Sequence, residues 1–238
     1  EAGWVMPFDE TTWLHVSPEG RIQNLSRDWL EPKFLGQLRL ARGDQWMGPP
    51  LLREGVLYIN SAQGEVSRVT FSPQFKVVSM RPIERPLVPL QDHPQGVIAV
   101  SVTGKITLRR PRNSWTQAFE GWANCYGANG EILAQPEVDS QGNIYLATRR
   151  FVFSWDSAGK LRWKKPVACS TRVNWSLDKL YVTDDSPALL QLDPVSGVLE
   201  ERLPLKARAA CNPSIWEGNL ALVLATGEVH LFHLPLSR

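Results

Sequence analysis

The sequence predicts an all-β fold, and three observations carry that prediction: short segments of alternating hydrophobicity, an internal repeat of about 40 residues, and an abundance of proline and tryptophan. Proline is excluded from helix interiors and central strands, so 18 prolines in 238 residues imply many strand starts and turns. Ten tryptophans imply large packing units on short β elements. No helix-period pattern competes; the nearest, Arg27 to Leu30, is too short for more than one turn.

Six segments anchor the repeat: Trp13-Leu14-His15-Val16, Val56-Leu57-Tyr58-Ile59, Val97-Ile98-Ala99-Val100, Asn143-Ile144-Tyr145-Leu146, Lys179-Leu180-Tyr181-Val182 and Asn219-Leu220-Ala221-Leu222. Their second residues are spaced by 43, 41, 46, 36 and 40, close to the period of a four-stranded propeller blade. Each anchor is strand B of its unit. A shorter strand A precedes it, introduced by Pro7, Pro50, Pro89, Pro136 and Pro213, with Val173 in that place in the fifth unit. Turns at Gly20, Gly64, Gly104 and Gly227 lead into an alternating strand C. Strand D is read at Gly36–Leu40, Phe75–Val78, Trp115–Phe119, Gly159–Trp163 and Gly197–Glu200, and Ser26 to Leu35 is then an insertion. One four-stranded unit cannot bury both faces, whereas six arranged radially cover one another. The fold expected is therefore a six-bladed β-propeller in one domain, 1–238, with blades at about 4–44, 45–83, 84–122, 133–167, 168–207 and 208–238. The sixth unit has no strand D. Either it has three strands or the missing one lies outside this sequence; the second is favoured because ring closure hides propeller edges, and the chain is then a piece of a longer one.

Two segments carry a sharper pattern. In Trp155-Asp156-Ser157-Ala158-Gly159-Lys160-Leu161-Arg162-Trp163 a strand ends in Asp, a turn holds Gly, and a Trp follows on strand D. Asp193 and Gly197 repeat the pattern, with Glu201 where the Trp would stand. This resembles the pyrroloquinoline-quinone-like, or quinoprotein-type, propeller repeat, whose Trp docks between neighbouring blades. The dehydrogenases of that family carry an adjacent Cys-Cys pair against the quinone and usually have eight blades. No Cys-Cys occurs here. The resemblance thus implies the cofactor-free branch, which includes the outer-membrane barrel-assembly lipoprotein and extracellular sensor domains. It implies no cofactor and a periplasmic or extracellular location, although an unpaired thiol would suit the cytoplasm.

A net charge of +2 gives no global attraction to nucleic acid or anionic membrane. The longest apolar run, Leu220 to Ala225, is strand-sized, so no membrane insertion is expected. Catalytic sets are missing from the pattern. The four histidines fall in different units or, at His230 and His233, have opposite strand parity; Asp184-Asp185 reads as a turn pair. No nucleophile elbow, phosphate loop or metal-ligand run is present.

Candidate binding residues gather in the D-to-A connections, which share one face of a propeller. Arg42, Arg81, Arg85, Lys165 and Arg208 lie in them, with Arg172 on the strand just after. Such a face would hold a protein partner through an acidic segment. The longest connection, Glu120 to Leu133, offers Trp122 and Tyr126, and Trp46 is their counterpart in an earlier unit; the other reading for Trp122 is packing over a blade edge. Cys125, Cys169 and Cys211 occupy equivalent connections, where they are buried thiols or supply one disulfide; their spacing matches no metal site. The expected function is a non-catalytic, protein-binding propeller. The alternatives are an extracytoplasmic small-ligand or carbohydrate sensor and, less favoured, a quinoprotein-like oxidoreductase.

Overall fold

The computed structural model describes residues 3–26, 32–42, 44–71, 74–80, 82–102, 105–109, 116–118 and 132–236. Every regular element among them is a strand, and the strands form six antiparallel sheets. The first holds β1 (Trp4–Pro7), β2 (Thr12–Val16), β3 (Arg21–Ser26) and β4 (Lys33–Gln37), in that order. The second holds β5 (Leu51–Arg53), β6 (Val56–Asn60), β7 (Val66–Thr70) and β8 (Lys76–Ser79). The third holds β9 (Gln91–His93), β10 (Gly96–Val100), β11 (Ile106–Arg109) and β12 (Thr116–Ala118). Next come β13 (Glu137–Val138), β14 (Ile144–Ala147), β15 (Phe151–Trp155) and β16 (Leu161–Pro166), then β17 (Asn174–Ser176), β18 (Lys179–Asp184), β19 (Ala188–Leu192) and β20 (Leu199–Pro204). The sixth sheet has three strands, β21 (Ser214–Trp216), β22 (Asn219–Val223) and β23 (Val229–His233).

The chain divides into two compact units, one of Glu1–Asp92, Val97–Val102 and Arg109–Trp115 and one of His93–Gly96, Thr103–Leu108 and Thr116–Arg238. In the first, Leu14, Val16 and Ile22 pack on Leu57, Ile59 and Val69, so the alternate residues of β2 and β3 face the second sheet. In the second, Trp163 and Tyr145 pack on Leu180, Val182, Leu190 and Leu192. Leu189 of β19 packs with Leu220 and Leu222 of β22. Central strands β10, β14 and β19 are buried at every position, which is why they read as continuous apolar runs rather than as alternation.

The turn from strand B to strand C shows why glycine recurs there. Gly20 and Gly64 have φ of 81° and 95°. A Cβ on either would lie 2.5 Å from the Leu38 carbonyl oxygen or 2.2 Å from that of Ile83. Each glycine carbonyl also accepts a hydrogen bond from the N–H of that same residue, at 2.8 and 2.9 Å. Only a residue without a side chain permits so close an approach.

Two outer strands are placed differently from the sequence expectation: strand D of the fifth sheet is Leu199–Pro204, not Gly197–Glu200, and strand D of the first sheet is Lys33–Gln37, begun within the expected insertion, not Gly36–Leu40. The cause is packing: Gly36 lies under the Phe75 ring, where a Cβ would be 2.2 Å from the nearest ring carbon, and Leu38 turns into the core at 2% exposure.

Candidate partner-binding surface

The D-to-A connections are built alike in five sheets. Each lays one residue beside the end of strand B as an isolated antiparallel bridge: Trp46 with Ser61, Pro86 with Ser101, Ile132 with Thr148, Cys169 with Asp184 and Ala209 with Leu224. Backbone pairs lock the bridges, as in Met47 N–H to Asn60 O at 2.9 Å and Ala62 N–H to Gln45 O at 2.7 Å. Ser170 to Thr183 and Asp185 to Ala168 repeat this at 2.9 and 2.7 Å. Side chains on these connections therefore project from a fixed backbone beside the B-to-C turns. The small polar residues that end strand B, Ser61, Ser101 and Thr148, are the sequence trace of this device.

The expected site residues separate into three groups. Arg42 and Arg85 are exposed in the first unit, and Arg208 is exposed in the second, where its Nε donates to the Asp185 carbonyl at 3.0 Å. Arg172 is half-buried, donating from Nε to Asn174 at 3.1 Å, and its backbone N–H reaches Asn212 at 2.9 Å. It also offsets Glu137, a carboxyl that burial holds above its usual range. Arg81, Trp122, Tyr126 and Cys125 lie outside the described residues.

Trp46 is a correction. It is only 9% exposed and packs in the core with Leu57 and Ile59, because the bridge to Ser61 turns its indole inward. Of the two readings for the cysteines, Cys169 and Cys211 take that of free thiols, Cys169 buried and Cys211 exposed, and Cys169, bridged to Asp184, lies in the apolar cluster shared by the fourth and fifth sheets. Burial, then Asp184 and Asp185, push the Cys169 thiol up to about 12.

Lys165 marks a cleft that sequence reasoning only half located. The cleft has a volume of about 590 Å³ and is lined by the apolar Val167, Leu190, Leu192 and Leu199, the cations Lys165 and Arg202, and the carboxylate of Asp184. Val198 and Leu199 are 53% and 50% exposed. Arg202 donates to Asp184 at 3.2 Å and to Ser186 at 2.6 Å. Apolar surface under two cations suits a ligand that sets a carboxylate beside apolar side chains. Arg202, Val198 and Leu199 were missed because the cleft forms only when β16 meets the next sheet; no spacing within one unit encodes it.

The joint between those sheets is the Trp163 contact. Its indole N–H donates to the Pro194 carbonyl at 3.0 Å. The ring lies so close to Gly197 that a Cβ there would be 2.8 Å from two ring carbons. Asp193 caps that turn, accepting from Ser196 N–H and Oγ at 2.7 and 2.6 Å. A second cavity, about 410 Å³, lies by the A-to-B turns and is polar, lined by Asp139, Tyr145, Arg162, Trp175, Lys179 and Asp193. Several of its polar groups already have partners: Lys179 pairs with Glu200, and the Tyr145 hydroxyl donates to Asp139 at 2.9 Å. Among the described residues no three His, Cys, Asp or Glu side chains gather as metal ligands. No helix among them is long and apolar enough to cross a membrane.

No family model and no curated protein matches this chain in sequence. Solved structures do match it in fold. The computationally designed Ika8 protein has 11% identity and a TM-score of 0.72, over 96% of this chain and 70% of that one. BamB from Moraxella catarrhalis has 13% identity and a TM-score of 0.60, over 94% and 68%. A chain of the Mitotic Checkpoint Complex has 11% identity and a TM-score of 0.67, over 92% and 69%. The chain has the fold of the β-propellers. At such identities the likeness is one of fold alone.

Proposed function

We propose that this chain is a non-catalytic scaffold of the pyrroloquinoline-quinone-like propeller type, with six blades, which binds another protein. The cleft beside Lys165 carries the reading: it is open, and it sets the Lys165 cation beside apolar side chains while Arg202 is held by Asp184. The partner it suits offers an extended segment with acidic and apolar residues side by side. The Trp163–Gly197 joint supports the assignment to this repeat type, since it is the contact the Asp-Gly-Trp pattern implies. Fold neighbours such as BamB and a chain from an assembled complex support a scaffold role.

The test is titration of a fluorescein-labelled peptide in which Leu alternates with Asp, read by fluorescence anisotropy. A charge-assisted contact contributes about 1.5–3 kcal/mol, so Lys165→Glu should weaken binding at least tenfold, and Arg202→Gln should weaken it by a smaller factor. Lys165 is half-buried beside Gly197, so the melting temperature of each variant is measured alongside and only a loss of binding by a folded variant counts. Equal binding by wild type and both variants removes the cleft from consideration. Arg42→Glu and Arg85→Glu in the first unit then decide whether the remaining connections bind instead.

A further inference from the structure

The polar cavity between the fourth and fifth sheets holds groups that the fold leaves unused. Asp139 is not one of them. It accepts from the Gln141 and Asn143 backbone N–H groups, the Asn143 side chain and the Tyr145 hydroxyl, at 2.8–2.9 Å. Asp193 is taken up by Ser196, and Lys179 by Glu200. Arg162 and Asp178 line the same cavity and differ. Among the described residues neither belongs to an ion pair, and the Asp178 carboxylate accepts no hydrogen bond.

The next sheet shows what Arg162 lacks. Arg162 is the extra residue of the β16 bulge, and Glu200 is its counterpart in the β20 bulge. Glu200 pairs with Lys179 and accepts from Gln191 at 3.0 Å. Arg162 is half-buried, and beside it stands only the Tyr145 hydroxyl, whose proton already goes to Asp139. A guanidinium has five N–H donors, so most of those on Arg162 remain to be offered. The third group is Trp175. It is half-buried, packs on the apolar cluster that joins the two sheets, and lines the cavity as well. Its backbone N–H bonds the Glu137 carboxyl of β13, which ties it to the fourth sheet. Asp178 is fixed by its turn: Leu177 and Asp178 have φ of 48° and 54°, the mirror-image form that suits a two-residue hairpin.

We propose that this cavity binds a neutral saccharide. Its volume of about 410 Å³ suits a small ligand. A sugar ring presents C–H groups on its face and hydroxyls around its edge. The C–H face suits the electron-rich face of the Trp175 indole. The hydroxyls both donate and accept, so they match the Asp178 carboxylate and the Arg162 guanidinium at once. Charge argues against an ion: Asp139, Asp178 and Asp193 repel an anion, while Arg162 and Lys179 repel a cation. No residue lines both this cavity and the cleft beside Lys165, so either site can fail without the other.

The test is proton–nitrogen correlation NMR on the whole chain, with glucose, galactose, mannose and N-acetylglucosamine as probes. At least one sugar should shift the Trp175 indole N–H and the Asp178 amide together, with a dissociation constant of about a millimolar. Trp175→Ala should weaken that binding at least tenfold. Because Trp175 also packs on the core, Asp178→Gly is the second variant. Glycine keeps the turn, and loss of the carboxylate should weaken binding about tenfold. Three results would overturn the proposal. The first is that no sugar shifts these signals up to tens of millimolar. The second is a sugar bound equally by wild type and the folded variants. The third is a response to phenylalanine, whose carboxylate and ammonium would take Arg162 and Asp178, with none to any sugar.

Discussion

Gly197→Ala tests whether the Trp163 joint holds the fourth sheet on the fifth. Gly197 has a φ of 68°, where an L-residue costs about 1–2 kcal/mol. Its new Cβ would also stand 2.8 Å from the indole and 2.9 Å from Lys165 Cγ. The lysine chain can swing away. The indole cannot move without straining the 3.0 Å bond to Pro194 O, which contributes about 1 kcal/mol, and overpacking adds about 1–3 kcal/mol. The total is about 3–6 kcal/mol, a large share of the stability of an ordinary domain. Gly227→Ala is the control. It has a φ of 87° in the same unit, and nothing lies within 4 Å of a Cβ there. It should cost the conformational part alone, about 1–2 kcal/mol. Urea unfolding with an m-value of about 2 kcal/mol/M would then separate the two variants by about 1–2 M in midpoint. Exchange of the β15 and β16 amides would localise the loss. If the two variants unfold within about 0.5 kcal/mol of each other, the indole contact does not hold the sheets together.

Two further outcomes follow from buried ionisable groups. Cys169, with its thiol pushed up to about 12, should have about one thiolate in ten thousand at pH 8. Exposed Cys211 should be alkylated by iodoacetamide in native protein while Cys169 is spared; peptide mass mapping that finds both modified at one rate contradicts the burial. Glu137 is raised by burial, against the pull of Arg172 and the Trp175 N–H. The folded protein thus holds this proton more tightly than the unfolded chain. The stability that goes with the proton is present below the unfolded pKa and lost as pH rises through the folded one. Glu137→Gln should therefore melt higher than wild type at pH 7, and the two should converge below about pH 4. A lower melting temperature for the variant at pH 7 would mean that the Arg172 attraction outweighs the burial.

The strand grammar was legible because each unit repeats it. Glycine marks the B-to-C turns of the first, second and sixth sheets, proline stands ahead of strand A in the second, third, fourth and sixth, and apolar runs mark buried strand B. The register of Trp163 was legible as well: Trp163 lies opposite Ser154 and Glu201 opposite Gln191, equivalent places in two sheets. What could not be read depends on contacts between units. Trp46 looked like a loop aromatic because its neighbours are Gly43, Asp44, Gln45 and Gly48; only the bridge to Ser61 shows that it faces the core. Arg162 and Glu200 are bulge residues, each added to strand D one place before Trp163 or Glu201. A bulge re-aims its side chain, so Arg162 reaches Tyr145 and Glu200 reaches Lys179. Strand alternation alone assigns both the wrong face.

Outer strands β16 and β20 turn Pro166 and Pro204 outward, so the cleft near Lys165 is bounded by a guarded edge and recognises a ligand only through side chains. Selectivity there rests on Lys165 and the apolar lining, and salt should weaken it. Peptide binding at the cleft should therefore fall as sodium chloride rises from about 50 to about 500 mM. Binding that holds across that range would mean that charge does not carry the recognition.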